Sequence, residues 1–364
     1  MATMASTELK WWQKRLGGVG PWPVKKIATH NMPHFDEVLA YVECVTWGRG
    51  IFPGVEKARM EFWTEGRVPE DAKGKSGDEI LLKDKILPIG IGGGILDEHG
   101  KGISSCAHLA AEILQISHKP ELQKILQFCK RVDDEGRSMP FDIHSLLNDG
   151  WDDCESDKEL PAAFDWAVDG IRRHLRGQIR FFKCEDEFRE KGRIIKGPVG
   201  IAVVESDSRK MNKWIRWRFG DMVDIIIQRR TTGNTAIFTT PDFQRKINFI
   251  DVVRIVRMQE LVKRKIILPD WQEMEVAEDC DKCHFWYYSK KDKSQLLNGS
   301  FSAPDKEPTA LSFMEVAGAI ALACAPLVDP CKEVKCNGRW CEKYVWGLRK
   351  CRDKRFNLYH KKAA

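Results

Sequence analysis

Short solid apolar runs alternate along this chain with longer stretches of helical spacing, the pattern of strands interleaved with helices. Residues 24–28 form one such run. The sequence 38–42 (Val-Leu-Ala-Tyr-Val) then opens an amphipathic pattern, with Pro33 stiffening the turn between them. Residues 86–95 read as an apolar strand running into glycines. A Ser-capped helix is expected over 104–114, and helical patterns come next over 121–131 and 162–190. Further on, 198–204 and 221–228 read as buried strands. A third strand, 235–239, is set off by the turn at Gly233-Asn234.

This ordering predicts an α/β protein, a parallel-sheet domain followed by a smaller α/β domain. A chain of 364 residues exceeds one ordinary core, so two domains are the default expectation. The break is placed at the glycine-flanked segment 192–197. That gives a lead-in over 1–23, a first domain over 24–192, a second over 193–330 and a tail over 331–364. Hydrophobic content of 43% and charged content of 31% describe an ordinary globular chain. The longest apolar stretch, 316–327, is too short to span a bilayer, and residues 1–20 lack the apolar core of a secretory signal. A cytoplasmic protein with no membrane contact is therefore expected. Trp11, Trp12, Lys10, Lys14 and Arg15 are expected to form a basic amphipathic lead-in that packs on the body or an interface.

Chemistry concentrates at the expected strand ends. His30, His34 and Asp36 lie within seven residues at the carboxyl end of the first strand, where ligands bind in open α/β sheets. Mixed imidazole and carboxylate donors suit manganese, iron or zinc. The alternative is a polar loop with a capping Asp and two solvated histidines. The glycines at 90 and 92–94 suggest a phosphate cradle, but they lead into no Gly-Lys-Ser/Thr and the P-loop reading fails. The chain continues instead into the acid–acid–imidazole triplet Asp97-Glu98-His99. Cys106 and His108 read as helix packing and helix surface. From 133 to 159 there are ten acids against two bases. Most must be solvated, with one of them left to complete a metal site.

The order of these motifs, Thr29-His30-Asn31 with His34 and Asp36-Glu37, then Gly90-Ile91-Gly92-Gly93, Asp97-Glu98-His99 and Val132-Asp133, resembles the DHH phosphoesterase superfamily. Within it the melanocyte-proliferating-gene branch is most similar, over roughly residues 24–324. The resemblance implies a metal-dependent phosphodiesterase or exonuclease acting on RNA, DNA or small nucleotides. His30, His34, Asp36, Asp97, His99 and Asp133 would be its metal ligands, and Asp36, Asp97 and His99 its catalytic groups. Mn2+ is the first expectation, with Mg2+ or Zn2+ as alternatives. Asn31 and Glu37 would brace the imidazoles. Two positions depart from the family pattern: Gly90 stands where a strand-end Asp bridges two metals, and Glu98 replaces the middle His. In such proteins the second domain closes over substrate, and Arg229 with Asn298, Gly299 and Ser300 would contact it. Their alternative is a hairpin edge and an ordinary turn.

Twelve cysteines without a signal peptide point to reduced thiols. Cys280, Cys283 and His284, with Cys331, Cys336, Cys341 and Cys351, offer a structural zinc as one reading. The tail from 331 holds eleven Lys/Arg against three acids, with Trp340, Tyr344, Trp346, Phe356 and Tyr359 interleaved. Single-stranded nucleic acid is a natural partner for that composition, since bases stack on aromatics while cations track phosphates. A solubilising helix docked by its aromatic face is the alternative. Three classes thus compete: a phosphoesterase, a nucleic-acid-binding protein on a degenerate scaffold, and an assembly subunit, with oligomers open to each.

Overall fold

The computed structural model describes residues 8–64, 73–102, 105–133, 135–197, 199–240, 249–270, 272–278, 281–289, 294–300 and 303–324. Contacts divide the chain into two compact units, Met1–Ile179 and Arg180–Ala364. The division falls inside a helix, ahead of the glycine-flanked segment 192–197 where the sequence suggested it. Each unit is mixed α/β.

The first unit is built on a parallel three-stranded sheet of order β2-β1-β3. Its strands are β1 (Lys26–His30), β2 (Arg59–Trp63) and β3 (Ile86–Pro88). The central strand buries Ile27, Ala28 and Thr29 and surfaces only at its ends. Among the described residues the sheet is accompanied by α1 (Trp11–Arg15), α2 (Phe35–Trp47), α3 (Gly77–Asp84), α4 (Cys106–Ile113), α5 (Pro120–Asp133), α6 (Ile143–Asp152) and the first part of α7 (Leu160–Lys191). Helix α2 is unusually buried, with Phe35, Val38, Leu39, Ala40 and Val42 in the core. Helix α1 packs on the body and joins that core. Trp12 packs edge-on against Trp22 at 5.6 Å, and Trp11 Nε1 donates to Glu112 Oε1 at 2.9 Å.

Helix α7 (Leu160–Lys191) leads to the second unit. There a six-stranded sheet runs β4-β5-β6-β7-β9-β8, parallel only between β5 and β6. The strands are β4 (Gly192–Ile195), β5 (Ile201–Glu205), β6 (Ile225–Arg229), β7 (Thr235–Thr239), β8 (Tyr287–Tyr288) and β9 (Gln295–Asn298). Side chains alternate across the sheet as the pleat requires. Ile201, Val203, Ile225 and Ile227 meet α9 (Ile250–Lys263) and α10 (Phe313–Cys324) on one face. Ala202, Val204 and Ile226 meet α8 (Met211–Phe219), through Trp214 and Ile215, on the other. Among the described residues no helix is long and apolar enough to cross a membrane.

Candidate metal centre

The centre grows from the carboxyl end of β1. His30 is the last residue of that strand, and the chain turns at Pro33, whose carbonyl accepts from Trp151 Nε1 at 3.1 Å. His34 then caps α2, which places Asp36 and Glu37 in the helix's first turn, where carboxylates are favoured by the helix dipole. Glu37 closes the cap: its Oε2 accepts from the His34 amide at 2.6 Å and its Oε1 from Thr29 Oγ1 at 3.3 Å. The same Oε2 lies 2.6 Å from His30 Nε2, and the two imidazoles stand edge to face at 5.1 Å. Asn31, expected to brace an imidazole, instead lines a neighbouring cavity beside β2. Glu37 does the bracing.

The glycine loop after β3 brings in the second group. It is pinned by Arg15, which donates to the Gly93 carbonyl at 2.7 Å, and by the Gly77 amide, which donates to the Gly92 carbonyl at 2.7 Å. Asp97 organises the next turn: its carboxylate accepts from the Gly93 amide at 2.7 Å and the His99 amide at 3.1 Å, and pairs with His99 Nδ1 at 2.8 Å. Glu98 faces inward and accepts from Cys106 Sγ at 2.7 Å, while the Cys106 amide donates to Asp36 Oδ2 at 2.9 Å. Helix α4 begins there because Ser105 caps it, accepting from the His108 amide.

Among the described residues three sets of donor atoms result, each lying within 4.8 Å: His30, His34 and Glu37; Asp36, Glu98 and Cys106; Asp97, Glu98 and His99. Asp133, the last residue of α5, lines a cavity of about 190 Å³ with His34, Asp36 and His144. The expected residues thus fall in one region. Sequence reasoning missed Cys106, read as packing, and His144, whose Nδ1 has no hydrogen-bond partner among the described residues. No spacing signalled either, because both meet the centre through tertiary packing.

Electrostatics bear on whether a cation fits. Burial, then the charges of Glu37, Asp133 and Glu98, push the Asp36 carboxyl up to about 8. Burial works against charge on His30, but the hydrogen bond and charge of Glu37 outweigh it and raise its pKa. His99 is raised chiefly by its bond to Asp97. Asp97 is lowered, its partial burial outweighed by the hydrogen bonds from His99 and Gly93. Acids gathered at a buried site with two imidazoles suit a divalent ion, which removes their mutual repulsion.

In the second unit the four expected substrate contacts separate. Arg229 donates to Thr235 Oγ1 at 3.0 Å and to the Leu311 carbonyl, and stacks on Phe313. Asn298 is fully buried and bonds Phe285, Glu307 and Thr309 backbone groups. Both serve the fold. Gly299 and Ser300 line a cavity of about 430 Å³ with Arg209, Gln228, Arg230 and Phe238. Cys283, one of the zinc candidates, is buried in the core with its Sγ 3.9 Å from the Arg257 carbonyl. Cys280 and the tail cysteines lie outside the described residues.

No protein-family model matches the chain, and no curated protein matches it. Among solved structures, an uncharacterized protein from Helicobacter pylori G27 is similar at 9% identity, covering 82% of this chain and 98% of its own, with a TM-score of 0.22. A DHH domain described as a member of the s1p family of ribosomal proteins is similar at 10% identity, covering 65% of this chain and 78% of its own, with a TM-score of 0.21.

Proposed function

We propose that this protein is a metal-dependent phosphoesterase of DHH type, akin to the melanocyte-proliferating-gene branch, acting on phosphate esters of RNA, DNA or nucleotides. The observation that carries this reading is the convergence of His30, His34, Asp36, Glu37, Glu98 and His99 in interlocking donor sets at the carboxyl ends of parallel strands. A divalent ion held there, Mn2+ before Mg2+ or Zn2+, would supply Lewis-acid polarisation of a phosphoryl oxygen and would acidify water. The chain's own groups orient and protonate: Glu37 fixes the His30 ring, the Cys106 amide fixes Asp36, and Asp97 fixes His99. His99 presents a largely exposed imidazole, suited to proton transfer at a leaving group. In the second unit, considered by itself, the 430 Å³ cavity is lined by Arg209 and Arg230, the latter paired with Asp207 at 3.6 Å.

Metal analysis of the purified protein, with a Mn2+-supplemented hydrolysis screen over nucleotides and short oligonucleotides, tests this directly. Turnover that is lost in His34→Ala/Asp36→Asn together with the metal is the expected result. The basic, aromatic tail favours a second reading, a nucleic-acid-binding or assembly protein on a degenerate scaffold. Salt-sensitive oligonucleotide binding with no turnover in any metal would establish it instead.

A further inference from the structure

Gly90 lies two residues past β3 with φ of +71°. A Cβ added there would sit 1.8 Å from Glu37 Oε1 and 2.6 Å from Glu37 Cδ. No side chain at 90 can share that space with the Glu37 carboxylate. The room beyond the strand's end is therefore filled from α2, not from the strand. Glu37 is 4% exposed, and the donor atoms of His30, His34 and Glu37 lie within 4.8 Å of one another. The carboxylate oxygen of Glu37 and the Nε2 of His30, 2.6 Å apart, share a proton in a hydrogen bond.

Building on the metal-dependent reading above, we propose that Glu37 is itself a metal ligand. It completes a two-histidine, one-carboxylate set with His30 and His34 in the space left by the missing side chain at 90. The sequence placed Glu37 as an outer brace; the geometry makes the brace and the ligand one group. Loading exchanges the proton between His30 and Glu37 for the cation, and that proton leaves to solvent. Such a set suits Mn2+, Fe2+ or Zn2+ over Mg2+, which prefers oxygen donors.

The test uses the full-length protein with Mn2+ alone. Anomalous difference maps of Mn2+-soaked wild-type crystals should place a Glu37 oxygen within coordination distance, roughly 2.0–2.6 Å. Titration calorimetry should show Glu37→Ala weakening Mn2+ by about 100-fold or more, beyond the usual 10–100-fold for an outer partner. The double variant Glu37→Ala/Gly90→Asp should regain at least tenfold, because a carboxylate from the strand end then enters the vacated space. An outer brace on His30 and the His34 amide has no such rescue. Bound Mn2+ with the Glu37 carboxylate outside the coordination distance overturns the proposal while leaving the metal-dependent reading intact. Absence of Mn2+ binding by the wild type overturns both. If the double variant fails to fold, the wild-type anomalous map decides alone.

Discussion

Asp36 shows what a single buried carboxylate costs and what it is kept for. Its carboxyl holds a proton up to about pH 8, because burial and the neighbouring acids Glu37, Asp133 and Glu98 disfavour its charge. In the metal-free protein the folded state therefore binds this proton more tightly than the unfolded state. Stability contributed by the protonated form is fully present below the ordinary carboxylate range and is lost as pH rises toward 8. Asp36→Asn should remove that decline and leave the metal-free protein more stable than wild type at pH 8. The difference should vanish near pH 4, at about 1.4 kcal/mol per unit of pKa shift. Calorimetric melting of both proteins in chelator across pH 4–9 checks this; parallel curves would refute it. The same residue should make metal uptake release protons at pH 7, so apparent Mn2+ affinity should climb steeply between pH 6 and 8. Of the site, His30, His34 and Asp36 were legible because one strand and one turn carry them. Cys106 and His144 were not, because nothing near them in the chain announces which helix they will face.

Elements divide along a similar line. Strands β5, β6 and β7 were legible as solid or alternating runs because side chains from both of their faces pack into hydrophobic clusters. The glycines cut β3 to Ile86–Pro88, shorter than the apolar run suggested. Helix α9 ran against the amphipathic rule: Asp251, Arg254, Arg257 and Glu260 are all buried. The Arg257 guanidinium explains part of this, since it donates to the carbonyls of Met274, Val276, Glu278 and Trp286 and so ties the segment before β8 to α9. Arg257→Ala should cost several kcal/mol by leaving buried carbonyls without donors. Hydrogen exchange should speed up over 272–288 while the amides of β1 are unchanged. At the other unit's turn, Trp151→Phe removes the donor to the Pro33 carbonyl and should cost about 1–2 kcal/mol. It should also loosen Mn2+ binding, since that turn aims His34; urea unfolding and calorimetry read the two effects.

At the scale of the whole molecule, charge is carried unevenly. Residues 331–364 have a net charge of +8 where the entire chain has +6, so the remainder is slightly acidic. Each phosphate neutralised on a single strand contributes about −0.7 to the slope of log affinity against log salt. With about four such contacts, deleting 331–364 should flatten the slope for oligonucleotides by roughly three units. Hydrolysis of a mononucleotide-sized substrate should survive, because every proposed ligand precedes residue 140. Equal affinity and slope for full-length and truncated proteins would make the tail a packing or assembly surface. Its composition was plain in the sequence; its contacts lie beyond the described residues.

The placement of the centre also has a meaning in time. Its donors run from His30 to Asp133, and the helix carrying Trp151, which ties down their turn, is the last one before α7. A ribosome adding about 5–20 residues per second finishes this unit roughly 10–40 s before it finishes the chain. The nascent first unit can therefore compete for cellular manganese or zinc while the second is still being made. On the metal-dependent reading proposed above, the ion taken up would then follow the supply at the ribosome during that interval.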